Sequence, residues 1–356
     1  MCARRRKTVA TIRDVATLAQ VSPMTVSRTL RHPHTVNQET RARVEHAIAQ
    51  LNYTVPVPTP RALAHTQTVA CIVPEISNPF FNDIVISVEQ AADQHGYRLI
   101  ICNSQYQPDR EARVLSDLHQ RNISGIIIAP CADTSLPTLQ AFANEHTPLV
   151  LIDREVPGFT ADIVQIDNVA AAQQLTNHLI ACGHQRIAFM SGDSTVSTFR
   201  DRLQGYRMAL DTAGIQFDPA LIYSETLSEQ AQGARSIQQL LNQPQLPDAV
   251  IAINRHTAIT IFHTCQQRQI AVPDQLALVS FDDIDATQLF PFFTVMAQPT
   301  VAIGQQAVEC LLKQMKGRPG RNDPCNHKLA ATLIIRQSCG HQARMQASAA
   351  FVREQD

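Results

Sequence analysis

The chain has 356 residues, 44% hydrophobic and 17% charged, with a formal net charge of −1. That length is too great for one hydrophobic core and natural for two or three units. No run of eighteen apolar residues is present, which excludes a membrane-spanning helix. The basic start Met1-Cys2-Ala3-Arg4-Arg5-Arg6-Lys7 leads into no apolar signal-peptide core. Nine scattered cysteines, odd in number and without a CxxC pair, suit the reduced thiols of a cytoplasmic protein better than a disulfide scaffold.

The near-zero charge hides an asymmetry. Residues 1–66 hold ten Lys/Arg and three Asp/Glu, a net +7, and the rest of the chain nets −8. A small unit that meets a polyanion, joined to a larger unit of other purpose, fits that split. Thr11 is placed to cap a first helix on which Ile12, Val15, Ala16 and Ala19 form one apolar face. Gln20-Val21-Ser22 is a tight connection, with Ser22 as N-cap and Pro23 at the first position of a second helix over about 23–30. That helix buries Val26 and Leu30 and leaves Pro23, Met24, Thr25, Ser27 and Arg28 outward. Asn37 caps a third helix carrying Val44, Ala47, Ile48 and Leu51.

Two short helices across a three-residue turn, braced by a third, make a helix-turn-helix, whose second helix enters the major groove of double-stranded DNA. Arg28 can bond two acceptors of a guanine, and Met24 can offer apolar contact to a thymine methyl. Thr25, Ser27 and the basic leader suit phosphates. A three-helix protein-binding module is the alternative, but it does not need the basic excess.

The stretch TIRDVATLAQVSPMTVSRTLRHPHTVNQETRARVEHAIAQLNY, residues 11–53, resembles the headpiece of the LacI/GalR family of bacterial transcription regulators. The resemblance implies that Pro23, Met24 and Arg28 read bases. Gln20 stands where the family usually has Gly, which implies local backbone strain. In residues 54–66, Arg61-Ala62-Leu63-Ala64 resembles the family's hinge and makes Leu63 the wedge inserted into the minor groove. Pro56, Pro58 and Pro60 depart from the pattern, so a hinge helix starts no earlier than Pro60. A semi-rigid spacer is the alternative.

From residue 68, apolar β-type runs alternate with helical stretches. Runs at 68–74, 97–104, 125–130, 148–153 and 162–167 are followed by a second series at 186–192, 249–255 and 276–283. Such alternation means parallel sheets covered on both faces, here two doubly wound lobes with a ligand crevice at the carboxyl ends of the strands. The family resemblance continues through ISNPFF (76–81), LIDR (151–154), GHQRIAFMSG (183–192), RDRLQGYRMAL (200–210), VPDQLALVSFDD (272–283) and LIIRQS (333–338). It implies a fold like that of periplasmic sugar-binding proteins, closing on a carbohydrate-like effector that controls DNA binding allosterically. Phe80, Phe81, Asp153, Arg202, Asn254 and Asp282 take the family's effector-contacting positions. Arg255 stands where the family usually has Asp. Together with Arg154 and Arg202 it favours an anionic effector such as a sugar acid, unless it points to solvent.

The domain reading is a headpiece over 1–53, a Pro-rich linker and short hinge over 54–66, a two-lobed effector and dimerisation domain over 67–340, and a loose tail over 341–356. One headpiece covers a half-site, so a homodimer on a pseudo-palindromic operator is expected, acting as a repressor or, alternatively, an activator. A transport-type sugar-binding protein is the other reading of the large unit. No phosphate loop or nucleophile elbow points to an enzyme, and no cofactor is implied. The pairs Cys325-Asn-His327 and Cys339-Gly-His341, with a strand expected just after His327, match no zinc spacing, so no metal is expected.

Overall fold

Val15, Ala16 and Ala19 share one face of an amphipathic segment. In the computed structural model they are buried on α1 (Ile12–Ala19) against Val26 of α2 (Pro23–Arg31) and Val44 and Ala47 of α3 (Gln38–Gln50). The structure describes residues 12–31, 36–51, 66–143, 147–224, 230–283, 292–316 and 324–340. Thr11, the linker at 54–65 with Leu63, and the tail from 341 lie outside the described residues, as do the side chains of Ile12, Ser27 and Leu30. Gln20 adopts φ +53°, the left-handed turn conformation that glycine takes without cost. Asn37 caps α3 by accepting from the Glu39 N–H at 2.7 Å.

The chain divides into two units, residues 1–64 and 65–356. In the second, β1 (Thr66–Val73), α4 (Pro79–Gln94), β2 (Arg98–Asn103), α5 (Pro108–Gln120), β3 (Ile123–Ile128), α6 (Leu136–Ala143), β4 (Leu149–Ile152) and β5 (Asp162–Ile166) wind the first lobe. The chain then crosses into α7 (Asn168–Ala181), β6 (Ile187–Ser191), α8 (Ser197–Thr212), β7 (Ile222–Ser224), α9 (Gln230–Leu241), β8 (Ala249–Ala252), α10 (Arg255–Gln267), β9 (Ala277–Phe281) and β10 (Thr294–Ala297). It returns through α11 (Thr300–Lys316) and β11 (Asn326–Leu329), and crosses a third time into β12 (Thr332–Ile334).

Both sheets have six strands. Their orders are β2-β1-β3-β4-β5-β11 and β7-β6-β8-β9-β10-β12, parallel except for β12, which runs antiparallel to β10. The expected two-lobed, doubly wound α/β architecture is thus present. The winding reverses between β1 and β3 and between β6 and β8, the switch points at which such sheets open a crevice. The central strands β4, β6, β8 and β9 are buried along their whole length, as the continuous apolar runs require. β7, β10 and β12 escape the sequence reading, and β11 enters it only as the strand expected just after His327. β7 and β12 are three-residue edge strands and β11 is a polar edge, so none carries the apolar run that betrays a central strand. His327, expected just before a strand, lies inside β11. β1 starts at Thr66, one residue inside the stretch read as linker.

Candidate functional site

Two carboxylates occupy matching places in the two sheets. Asp153 follows β4 and Asp282 follows β9, each the fourth strand in its sheet's order. Asp153 has φ +67° and Asp282 φ +68°. Their N–H groups donate to carbonyls of the next strand, Val164 at 3.0 Å and Met296 at 3.1 Å. Aspartate tolerates this conformation better than most residues, and strained backbone of this kind gathers at functional sites.

Each carboxylate has an arginine beside it. Arg154 donates to Asp153 Oδ2 through Nε at 2.9 Å, and both side chains are about 5% exposed. Its guanidinium also lies 5.7 Å from the Phe81 ring centroid. Arg202, on α8, donates through Nε to Asn168 Oδ1 and through an Nη to the Ile253 carbonyl, each at 2.8 Å. It stacks 3.8 Å over the Phe281 ring, a cation–π contact away from water. Burial lowers the Arg202 pKa from its ordinary value, against the attraction of Asp282 and Asp153. Burial pushes the Asp282 carboxyl up to about 6, and neighbouring Arg202 and the Gln298 hydrogen bond hold back part of that rise.

These groups meet in one cleft, lined by Asn78, Phe80, Phe81, Tyr106, Asp153, Arg154, Thr198, Phe199, Arg202, Ile253, Asn254, Asp282 and Gln298. The free space between them is about 30 Å³, far below the roughly 300–1,000 Å³ of typical small-molecule pockets. Phe80 and Phe81 stand at the start of α4, capped by Asn78, whose side-chain oxygen accepts from the Phe80 N–H at 3.1 Å. Asn254 caps α10 by accepting from the Thr257 N–H at 2.9 Å. Gln298 donates to Asp282 at 2.6 Å, and its buried Oε1 has no hydrogen-bond partner. A buried carbonyl of this kind beside two carboxylates can accept from a hydroxyl-bearing ligand.

Seven of the eight expected effector residues line this cleft. Arg255 does not; it starts α10, half-exposed, though its charge still acts on Asp282. Asn78, Tyr106, Asn168, Thr198, Phe199 and Gln298 were not singled out from the sequence. Asn78 before Pro79 is a legible cap signal, but an isolated Gln298 carries none.

In the first unit, Ser22 accepts from the Thr25 N–H at 3.1 Å and its hydroxyl meets the Thr25 hydroxyl at 2.9 Å, which starts α2. Met24 is 71% exposed, and Pro23 and Arg28 are exposed with it. Thr25 is half-buried. Of the two Cys-x-His pairs, Cys325 and His327 belong to the edge of the first sheet. Cys339 follows β12 of the second sheet, and His341 lies outside the described residues.

Residues 11–55 match the family described as bacterial regulatory proteins, lacI family. Residues 66–337 match the periplasmic binding proteins and sugar binding domain of LacI family. The chain is 35% identical to the HTH-type transcriptional repressor CytR of Escherichia coli (strain K12) over 323 residues, 89% of this chain and 93% of that protein. It is 31% identical to the ribose operon repressor of the same strain over 316 residues, 86% of this chain and 93% of that protein. A solved complex of the transcriptional regulator CelR with cellobiose aligns with a TM-score of 0.69 at 28% identity, covering 92% of this chain and 99% of that one. Among the described residues, no helix is long and apolar enough to cross a membrane. A helix-turn-helix unit, two doubly wound lobes and a polar cleft at their strand ends, matched along both units, place this chain in the LacI family of bacterial regulatory proteins.

Proposed function

We propose that the protein is a cytoplasmic repressor of carbohydrate-utilisation genes, binding a pseudo-palindromic operator as a homodimer and controlled by a small, hydroxyl-rich effector in the cleft. The observation that carries the effector reading is the convergence on one crevice of the buried Asp153–Arg154 ion pair and of buried Asp282, whose charge Arg202 opposes. Their opposite charges balance, which suits a neutral polyol: carboxylates, Asn254 and Gln298 for its hydroxyls, Phe80 and Phe81 for its ring face. The relatives' names agree in class, one a ribose operon repressor and one bound to cellobiose. An anionic effector, a sugar acid, is the second reading, favoured by the reach of Arg255 to Asp282.

On DNA, Pro23, Met24 and Arg28 read base edges, while Thr11, Ser22, Thr25 and Ser27 hold phosphates and position the recognition helix. Leu63, in a hinge within 54–66, wedges the minor groove.

The test is binding of the full chain to its own upstream DNA at fixed salt, titrated with neutral sugars and sugar acids. Neutral sugars that shift DNA affinity in the wild type and not in Arg202→Lys support the first reading. A response confined to sugar acids and lost in Arg255→Asp favours the second. Absence of any sequence-specific binding overturns the regulator assignment.

A further inference from the structure

Outside the cleft, three metal-ligating side chains from two distant stretches of sequence come together. His178 and Cys182 lie four residues apart at the end of α7, so they share one face. Cys339 comes from the turn after β12. One donor atom from each, an imidazole nitrogen and two Sγ, lie within 4.8 Å of one another. His178 Nε2 is 3.8 Å from Cys182 Sγ. A tetrahedral zinc ion, with Zn–S about 2.3 Å and Zn–N about 2.0 Å, sets such a pair about 3.6 Å apart.

We infer that His178, Cys182 and Cys339 form a zinc site that staples the turn after β12 to the end of α7. The donor set is the borderline-soft N/S mixture that zinc prefers over oxygen-loving cations. Cys182 and Cys339 are buried, and half-buried His178 leaves a side for water as the fourth ligand. Binding Zn²⁺ displaces one proton from each thiol. The ion, two thiolates and a neutral imidazole then sum to zero charge, so no net charge is buried.

The third donor is held by contacts of its own. His184 Nε2 donates to the Cys339 carbonyl at 3.0 Å, and Ser338 Oγ accepts from the Thr294 N–H at 2.8 Å. α7 follows the chain's first crossing between lobes and Cys339 follows the third. The staple therefore lies within the second lobe, tying the helix entered at the first crossing to the turn that follows the strand entered at the third. It does not rest on the effector reading.

The test uses the full chain, purified reduced and stripped of metal, then titrated with Zn²⁺ alone and separately with Co²⁺. About one ion per chain is expected, with the thiolate-to-cobalt charge-transfer band and intense d–d spectrum of a four-coordinate sulfur site. Cys182→Ser and His178→Gln are expected to weaken binding about 100-fold or more, while Cys325→Ser leaves it unchanged. Zn²⁺ should raise the melting temperature of the wild type and of Cys325→Ser in a concentration-dependent way, and not that of folded Cys182→Ser. Binding of no ion, equal affinity in Cys182→Ser, or a Cys182–Cys339 disulfide mapped in freshly isolated protein would overturn the assignment.

Discussion

Asp282 is the residue whose chemistry the fold changes most plainly. Its carboxyl titrates at about 6 in the folded chain because burial penalises the charge more than Arg202 and Gln298 favour it. The unfolded chain releases the same proton near pH 4. Between those values the folded state holds more protons than the unfolded one, so this group's contribution to stability falls as pH rises through the window and is level above it. Two pKa units correspond to roughly 3 kcal/mol. Denaturation of wild type and Asp282→Asn from pH 4 to 7 should show the wild type losing up to about 3 kcal/mol relative to the variant by pH 6. A constant difference across the window would show that Asp282 titrates normally. The sequence reading reached Asp153 because it ends a strand, and Asp282 and Arg202 because their stretches resemble the family's. It placed Arg255 in the same group, since adjacency to Asn254 in the chain does not reveal that Asn254 caps α10 and that Arg255 is not among the residues lining the cleft.

At the level of elements, α7 and α8 approach closely because of one glycine. A Cβ at Gly205 would stand 2.1 Å from the Val169 carbonyl oxygen and 2.9 Å from the Ala172 Cβ, both on α7. Helix propensity alone favours Ala over Gly by about 1 kcal/mol. The overlap is with backbone that cannot yield without separating the helices, and it outweighs propensity. Gly205→Ala should destabilise the second unit by about 1–3 kcal/mol in denaturant titration, and weaken effector binding because Asn168, which holds Arg202, starts α7. A variant as stable as wild type would mean that the helices have slack. Helices of this kind were legible from apolar periodicity, as was α2 from Ser22-Pro23. The edge strands were not. β12 pairs antiparallel on three residues and three of the four residues of β11 are polar, and both are fixed by tertiary pairing rather than by local preference.

For the whole second unit, the question is what holds the lobes together over a cleft of about 30 Å³. Asp133, which follows β3, receives Arg200 of α8 at 2.6 Å, and its N–H donates to the Thr195 carbonyl at 2.9 Å. The Glu155 N–H donates to Ser197 Oγ at 2.9 Å. All three contacts bridge the lobes along one rim. The ion pair is about one-third exposed, so it contributes only about 0.5–1 kcal/mol after screening. An equilibrium between open and closed lobes shifts by about 2–5-fold for that energy. On the proposed effector reading, side chains fill the space a sugar needs once the latch is made, so the effector would meet the open form, and each molecule held closed would reduce apparent affinity. Arg200→Ala should therefore bind the effector about 2–5-fold more tightly by calorimetry, with a larger radius of gyration by solution scattering before effector is added. The difference should shrink at high salt, where the ion pair is screened in the wild type as well. Weaker binding by Arg200→Ala would mean instead that the Asp133–Arg200 pair forms over the bound effector.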